Sequence, residues 1–280
     1  MAETHSAEEA LRQWRSVAPA WEQHRERMFG DLLAVSEWLV EQVDPQPGQT
    51  VLEVAAGPGE TGFLVADRLG STGRLISSDF APEMVAAARR GADERGLHNV
   101  ECRELDAEQL DLPDGSIDGV LSRFGLMLMP GQQRAVAEVR RVLRPGGRFA
   151  HATWGPPDRN PWLFQMVVAL LQNGVAPPGE PFAPGGPFSL ATPESNRALA
   201  EAGGFAEVSV EEMTGVMRFD SLDEHWAYMA AVAGPVVELV ATLDPAQIDA
   251  IRGTLGPSLA PYQRDGAFEI PWTAMVTRAT

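Results

Sequence analysis

The sequence has a single cysteine, Cys102, so no internal disulfide is available. Cys102 lies in a segment that reads as a strand, which predicts a buried thiol and not a reactive one. Basic residues are scarce, 22 Lys+Arg against 39 Asp+Glu, and the formal charge is -17. A nucleic-acid partner needs a basic surface, so this balance argues against one, and the same field disfavours anionic membranes. Long apolar runs are missing too, since nothing approaches the roughly 18 uninterrupted apolar residues of a membrane span. The start, Met1 to Glu9, has neither the basic nor the apolar region of a leader, so a soluble, cytoplasmic protein is expected. Internal repeats, low-complexity tracts and flexible linkers are also absent. What remains is an ordinary globular composition, 44% apolar in 280 residues, enough for one elaborated domain or two small ones.

The chain is organised around Thr50 to Gly62, which reads T-V-L-E-V-A-A-G-P-G-E-T-G. Val51, Leu52 and Val54 suit a strand buried on both faces, and glycines at G-x-G-x-x-G spacing follow at once. The next residues, Phe63 to Leu69, have helical spacing and stop at Gly70. Strand, glycine loop and helix make the first unit of a nucleotide-binding α/β sheet, with the ligand at the helix N-terminus. Glu53 stands out as an acid in an apolar strand. A buried carboxylate needs a partner, which is either a donor-rich or cationic group of the ligand or the amides of the loop it braces.

Further strands are predicted at Arg74–Ser78, Val100–Leu105, Ile117–Ser122 and Arg148–Trp154, separated by helices and ending on one side of the sheet. Asp79 follows the second strand, where it is placed to hold a ribose diol or to cap the next helix. Asp106 follows the third. The helix Gln132–Leu143 ends at Arg144-Pro145-Gly146-Gly147, a forced stop. Residues from about Glu8 to Gln42 read as helices that either pad the sheet or fold over the ligand. Late in the chain, strands are expected at Phe205–Met213 and Phe268–Thr277, with a helical stretch from Ser221 that carries Glu224 in the capping-box position.

These motifs together resemble the class I S-adenosylmethionine-dependent methyltransferases, in the ubiquinone/menaquinone-biosynthesis-like small-molecule group. The resemblance rests on E-V-A-A-G-P-G-E-T-G (Glu53–Gly62), S-D-F-A-P-E-M (Ser78–Met84), L-D-A-E-Q-L (Leu105–Leu110), V-L-S-R-F-G-L-M (Val120–Met127) and R-V-L-R-P-G-G-R (Arg141–Arg148). It implies an α/β, Rossmann-like sheet of seven mostly parallel strands with a C-terminal antiparallel hairpin, N-terminal helices, and helical insertions after strands 5 and 6. The expected divisions are a helical lid or padding (1–46), a cofactor core (47–154), an insertion (155–190), a return helix and strand (191–219), a second insertion (220–263) and a last strand (264–280). The resemblance assigns S-adenosyl-L-methionine as cofactor. Glu53 and the backbone of Ala55, Ala56, Gly57 and Gly59 would hold its methionine part, and Asp79 the ribose. Phe80 and Met84 would take the adenine face, Asp106 and the Ala107 amide its edge, with Ser122 and Arg123 beside sulfonium and substrate.

Acids at three strand tips suit a cationic, hydroxyl-bearing ligand better than a pyrophosphate, which sets a nicotinamide oxidoreductase behind methyl transfer. A protein that binds the same cofactor but catalyses a cyclisation or decarboxylation stays open. Candidate general bases are His151 and His24, and no His–carboxylate spacing suits a metal. Phe124, Met127, Met129, Trp154, Trp162, Trp226, Tyr228 and Met229 would wall a pocket for an apolar or aromatic acceptor, unless they are ordinary core. The expected partner is that small molecule, and a homodimer is compatible with the sequence.

Overall fold

A computed structural model describes residues 7–176 and 180–280. The stretch before Ala7, with His5, and positions 177–179 of the first expected insertion lie outside the described residues. The chain opens with α1 (Ala7–Asp31) and α2 (Leu33–Val43), then alternates β1 (Thr50–Val54), α3 (Glu60–Leu69), β2 (Arg74–Asp79), α4 (Pro82–Glu94), β3 (Val100–Glu104), β4 (Ile117–Arg123), α5 (Gln132–Val142) and β5 (Leu143–Trp154). After β5 come α6 (Pro161–Gln172), α7 (Pro193–Ala202), β6 (Val208–Phe219), α8 (Leu222–Val232), α9 (Gly234–Val240), α10 (Pro245–Leu259), β7 (Gln263–Arg264) and β8 (Ala267–Ala279).

The sheet order is β3-β2-β1-β4-β5-β8-β6. The first five strands pair in parallel, while β8 runs antiparallel to both β5 and β6. This is the Rossmann-like arrangement with antiparallel closing strands that the motifs imply. An eighth strand joins the expected seven: the two-residue β7 folds back on β8 and closes the helical insertion. The parallel strands are covered on both faces, so β1 and β4 are buried along nearly their whole length. The strand expected at Phe205–Met213 begins and ends later, because β6 follows β8 for its whole length from Val208 to Phe219. The edge position of β3 leaves Cys102 only half-buried, less than its sequence suggested.

The two N-terminal helices divide the roles that the sequence left open. Helix α2 packs on the sheet: Val35, Leu39 and Val40 are in the core, and Ser36 Oγ meets Thr61 Oγ1 at 2.9 Å. Helix α1 lies across the glycine loop instead. It is tied to α4 by Glu22–Arg90 at 2.6 Å and Arg15–Glu83 at 2.9 Å, and to α8 by Trp21 Nε1–H donating to the Val232 carbonyl at 3.0 Å. At the start of α8, Ser221 accepts from the Glu224 N–H, as its capping position predicts. The reciprocal bond is not made to Ser221. The Glu224 carboxylate takes the Asp220 N–H at 2.5 Å and pairs with Arg27 of α1. Among the described residues no helix is long and apolar enough to cross a membrane.

Candidate functional site

The turn from β1 into α3 is made by left-handed residues, Ala55 (φ 53°), Gly57 (φ 56°) and Gly59 (φ 89°). Glycine relieves that conformation at two of the three positions, whereas Ala55 holds it at a steric cost of the kind that clusters at functional loops. A second such residue, Phe124 (φ 58°), follows β4 directly. The two turns meet, since a side chain on Gly125 would strike Ala55 Cβ and come within 3.1 Å of Ser122 Oγ.

Asp79, at the tip of β2, fastens the loop. Its Oδ2 accepts from the Gly57 N–H at 2.9 Å and its Oδ1 from the Ala81 N–H at 3.0 Å, just before α4. The residue thus caps its own turn and holds the neighbouring one, so both sequence readings of Asp79 are compatible. Burial outweighs these bonds and raises its pKa to about 6.

Glu53 is almost wholly buried at the end of β1. Burial raises its pKa to about 8, against the opposing pull of Arg123, the Gly62 amide and the Ser77 hydroxyl, 3.5 Å away. It borders a cavity of about 20 Å³ beneath α1, lined also by Trp21, Arg25, Ala55, Glu60 and Arg123. The cavity is small because α1 closes directly on the loop: the Trp21 ring stands 3.5 Å from where Gly57 would carry a Cβ. Three buried polar atoms here have no hydrogen-bond partner, Arg25 Nη1, Glu60 Oε1 and Ser122 Oγ. Arg25 Nε does lie 3.5 Å from Glu60 Oε1 as an ion-pair neighbour. Buried donors and acceptors left so are costly unless a ligand completes them.

The structure brings Glu53, Ala55, Ala56 and Arg123 to this cavity and sets Gly57, Gly59, Asp79 and Ser122 around it. Phe80 is partly exposed beyond Asp79, next to α1. Met84 is sealed against Val17 and Ala18 of α1 and does not line the cavity. Asp106 is exposed after β3, its Oδ1 accepting from the Glu108 N–H at 2.8 Å, and Ala107 is buried beside it. His151 is fully buried in β5, with Nε2 3.0 Å from Asn196 Oδ1 on α7, and burial lowers its pKa to about 4. His24 lies on α1, edge-on to Tyr228 at 5.9 Å. The sequence did not single out Glu60 and placed Arg25 only on a helix of open role. The signal for Glu60 was present in its position inside the glycine motif, but none existed for Arg25, which acts across distance.

Residues 51–147 match the family described as a methyltransferase domain. A demethylmenaquinone methyltransferase of Thermus thermophilus is 34% identical over 140 residues, covering 47% of this chain and 63% of that protein. The nocamycin O-methyltransferase of Saccharothrix syringae is 30% identical over 145 residues, 51% of this chain and 52% of its own length. The chain therefore spans less than two thirds of the length of these curated relatives. Among solved structures, the YcgJ protein of Bacillus subtilis shares the fold, with a TM-score of 0.56 at 19% identity over 87% of this chain and 96% of that one. The domain match falls on the span in which the five motifs run in order. Residues 51–147 accordingly match a methyltransferase domain, and over that span the chain is similar to methyltransferases of the ubiquinone/menaquinone-biosynthesis-like group.

Proposed function

We propose that the chain transfers a methyl group from S-adenosyl-L-methionine to a small acceptor with an apolar or aromatic body. The observation that carries this reading is the cavity at the β1 tip. There Glu53, Glu60 and Arg25 line one space, and the unpartnered Glu60 Oε1 and Arg25 Nη1 match an amino-acid zwitterion, ammonium to the carboxyls and carboxylate to the guanidinium. A pyrophosphate at the same loop would meet Glu60 and Asp79 and be repelled, which favours this cofactor over a nicotinamide dinucleotide.

In this reading Asp79 receives the ribose hydroxyls with its remaining lone pairs, and Phe80, Asp106 and the Ala107 amide border the adenine. The bound cofactor supplies an already activated methyl group on its sulfonium. The protein's share is alignment and exclusion of water, which α1 provides by lying over the loop. Phe124 stacks on Trp154 at 3.9 Å and Trp162 meets Trp154 edge-on at 5.0 Å, an aromatic cluster that starts at the residue after Arg123.

Calorimetric titration with S-adenosylhomocysteine should show saturable binding. Incubation of S-adenosyl-L-methionine with a panel of phenols and quinols should release S-adenosylhomocysteine in step with loss of one acceptor. Failure to bind S-adenosylhomocysteine, with tryptophan quenching by NADPH instead, would overturn the proposal; acceptor turnover without S-adenosylhomocysteine would point to a non-methylating reaction.

A further inference from the structure

We propose that the chain pairs with a second copy of itself through the outer edge of β6, antiparallel and about a two-fold axis at Gly215. This edge is at the end of the sheet away from β3 and shares no residue with the cavity at the β1 tip.

Strand β6 runs for 12 residues and closes the sheet, with β8 on its inner side. Glu207, just before it, exchanges both backbone hydrogen bonds with Thr280, at 3.3 and 3.0 Å, and the register runs unbroken from Val208–Ala279 to Phe219–Phe268. Such pairs alternate along an antiparallel ladder. The odd-numbered residues of β6 therefore turn their N–H and C=O to β8, and the even-numbered ones turn theirs outward. Two arginines reach the outward groups at the ends: Arg197 Nη1 donates to the Val208 carbonyl and Arg27 Nη2 to the Arg218 carbonyl, each at 2.6 Å. Between them the backbone groups of Val210, Glu212, Thr214 and Val216 have no hydrogen-bond partner among the described residues. No proline, lysine or bulge guards the stretch, and Val216 is 53% exposed on it. The opposite edge, β3, is only five residues long, and three of them are charged.

Charge selects the occupant and its register. Outward residues pair only with outward residues, so a symmetric pairing is centred on a single residue. Centred on Glu212, it sets the two Glu212 carboxylates against each other; centred on Met213, it brings Arg218 beside the Arg197 that holds Val208. Centred on Thr214, it leaves Glu212 and Arg218 opposite valines, and centred on Val216 it opposes Glu212 to Asp220. The pairing centred on Gly215 sets Glu212 opposite Arg218 of the second copy, twice by symmetry. It also lays Thr214 beside the exposed Val216 and Met213 beside Met217, and it puts a residue without a side chain at the axis, where the backbones approach most closely. Both charged side chains have room to turn, being 39% and 61% exposed. Within its own copy Glu212 is engaged by Arg159, and Arg218 lies 3.4 and 3.7 Å from Asp220 and Glu269. The formal charge of -17 on each copy opposes association, but its field is screened beyond about 8 Å at 0.15 M salt, while the paired side chains are in contact.

Sedimentation equilibrium of the full chain at about 0.15 M salt tests the pairing. The wild type is expected to dimerise at micromolar concentration. Arg218→Glu and Glu212→Arg should each weaken dimerisation about tenfold, because two ion pairs become two repulsions. The two changes combined should restore it to within about threefold of the wild type, which misfolded variants would not do. Thr214→Pro removes an outward N–H and leaves the β8 ladder intact, so it should give a monomer with unchanged circular dichroism. A wild type that stays monomeric up to about 1 mM would overturn the proposal and leave the edge to a strand from a different protein. A dimer that persists in Thr214→Pro, or a combined charge swap that fails to restore pairing, would overturn it as well.

Discussion

The carboxyl group of Glu53 fills the space that a side chain on Gly62 would need. A Cβ on Gly62 would be driven into Glu53 Oε2 and would lie 2.9 Å from Leu75 Cδ2. The third glycine of the loop motif is thus paired with the acid of the preceding strand, as the close approach of helix to strand requires. Gly62→Ala should destabilise the fold by roughly 1 to 3 kcal/mol through overpacking. Denaturant unfolding of the two proteins measures this, and unchanged stability would mean that Glu53 moves aside freely.

The pH dependence of stability follows from the same carboxyl. Burial raises Glu53 to about 8 and Asp79 to about 6, so the folded chain binds these protons more tightly than the unfolded one. Their contribution to stability is complete below the ordinary carboxyl range near pH 4 and is lost as pH rises through about 6 and then about 8. Glu53→Gln should flatten the fall in ligand-free stability between about pH 5 and 8. Thermal melts across that range test it, and an equally steep fall in the variant would contradict the assignment.

Binding of the cofactor should release protons near pH 7. An ammonium group brought to Glu53 favours its ionised form, and the proton displaced passes to buffer. Calorimetry of S-adenosylhomocysteine in buffers of different ionisation heat would give a release that Glu53→Gln removes. Equal release in both proteins would place the proton elsewhere.

Asp79→Ala should weaken the cofactor by roughly 1 to 3 kcal/mol, because it removes an ionised acceptor and frees the Gly57 amide. Asp79→Asn is the control, since it keeps the side chain's shape but changes its charge. Unchanged affinity in Asp79→Ala would take this residue out of the site.

His151→Ala should cost stability, about 1 to 3 kcal/mol, by leaving Asn196 Oδ1 without its ring partner in the core. Turnover per folded molecule and cofactor affinity should be unchanged. A selective fall in kcat would instead restore His151 as the base.

Much of this was legible in the chain itself. The loop, the parallel strands and the acids at their tips are set by spacing over a few residues: glycines permit the turn, apolar runs specify buried strands, and Asp79 needs only the loop and the turn beside it. Arg25 and Glu60 were not legible in the same way. They are brought together by α1 crossing the loop, and what places α1 is a set of partners far away in sequence, Arg90, Glu83 and the Val232 carbonyl. The same limit applies to His151, whose partner Asn196 lies 45 residues on. Sequence alone determined the sheet and the glycine loop, because backbone conformation and hydrophobic period are local. Only the tertiary structure decided which charges remain paired, because burial and ion pairing depend on segments that no short-range pattern relates.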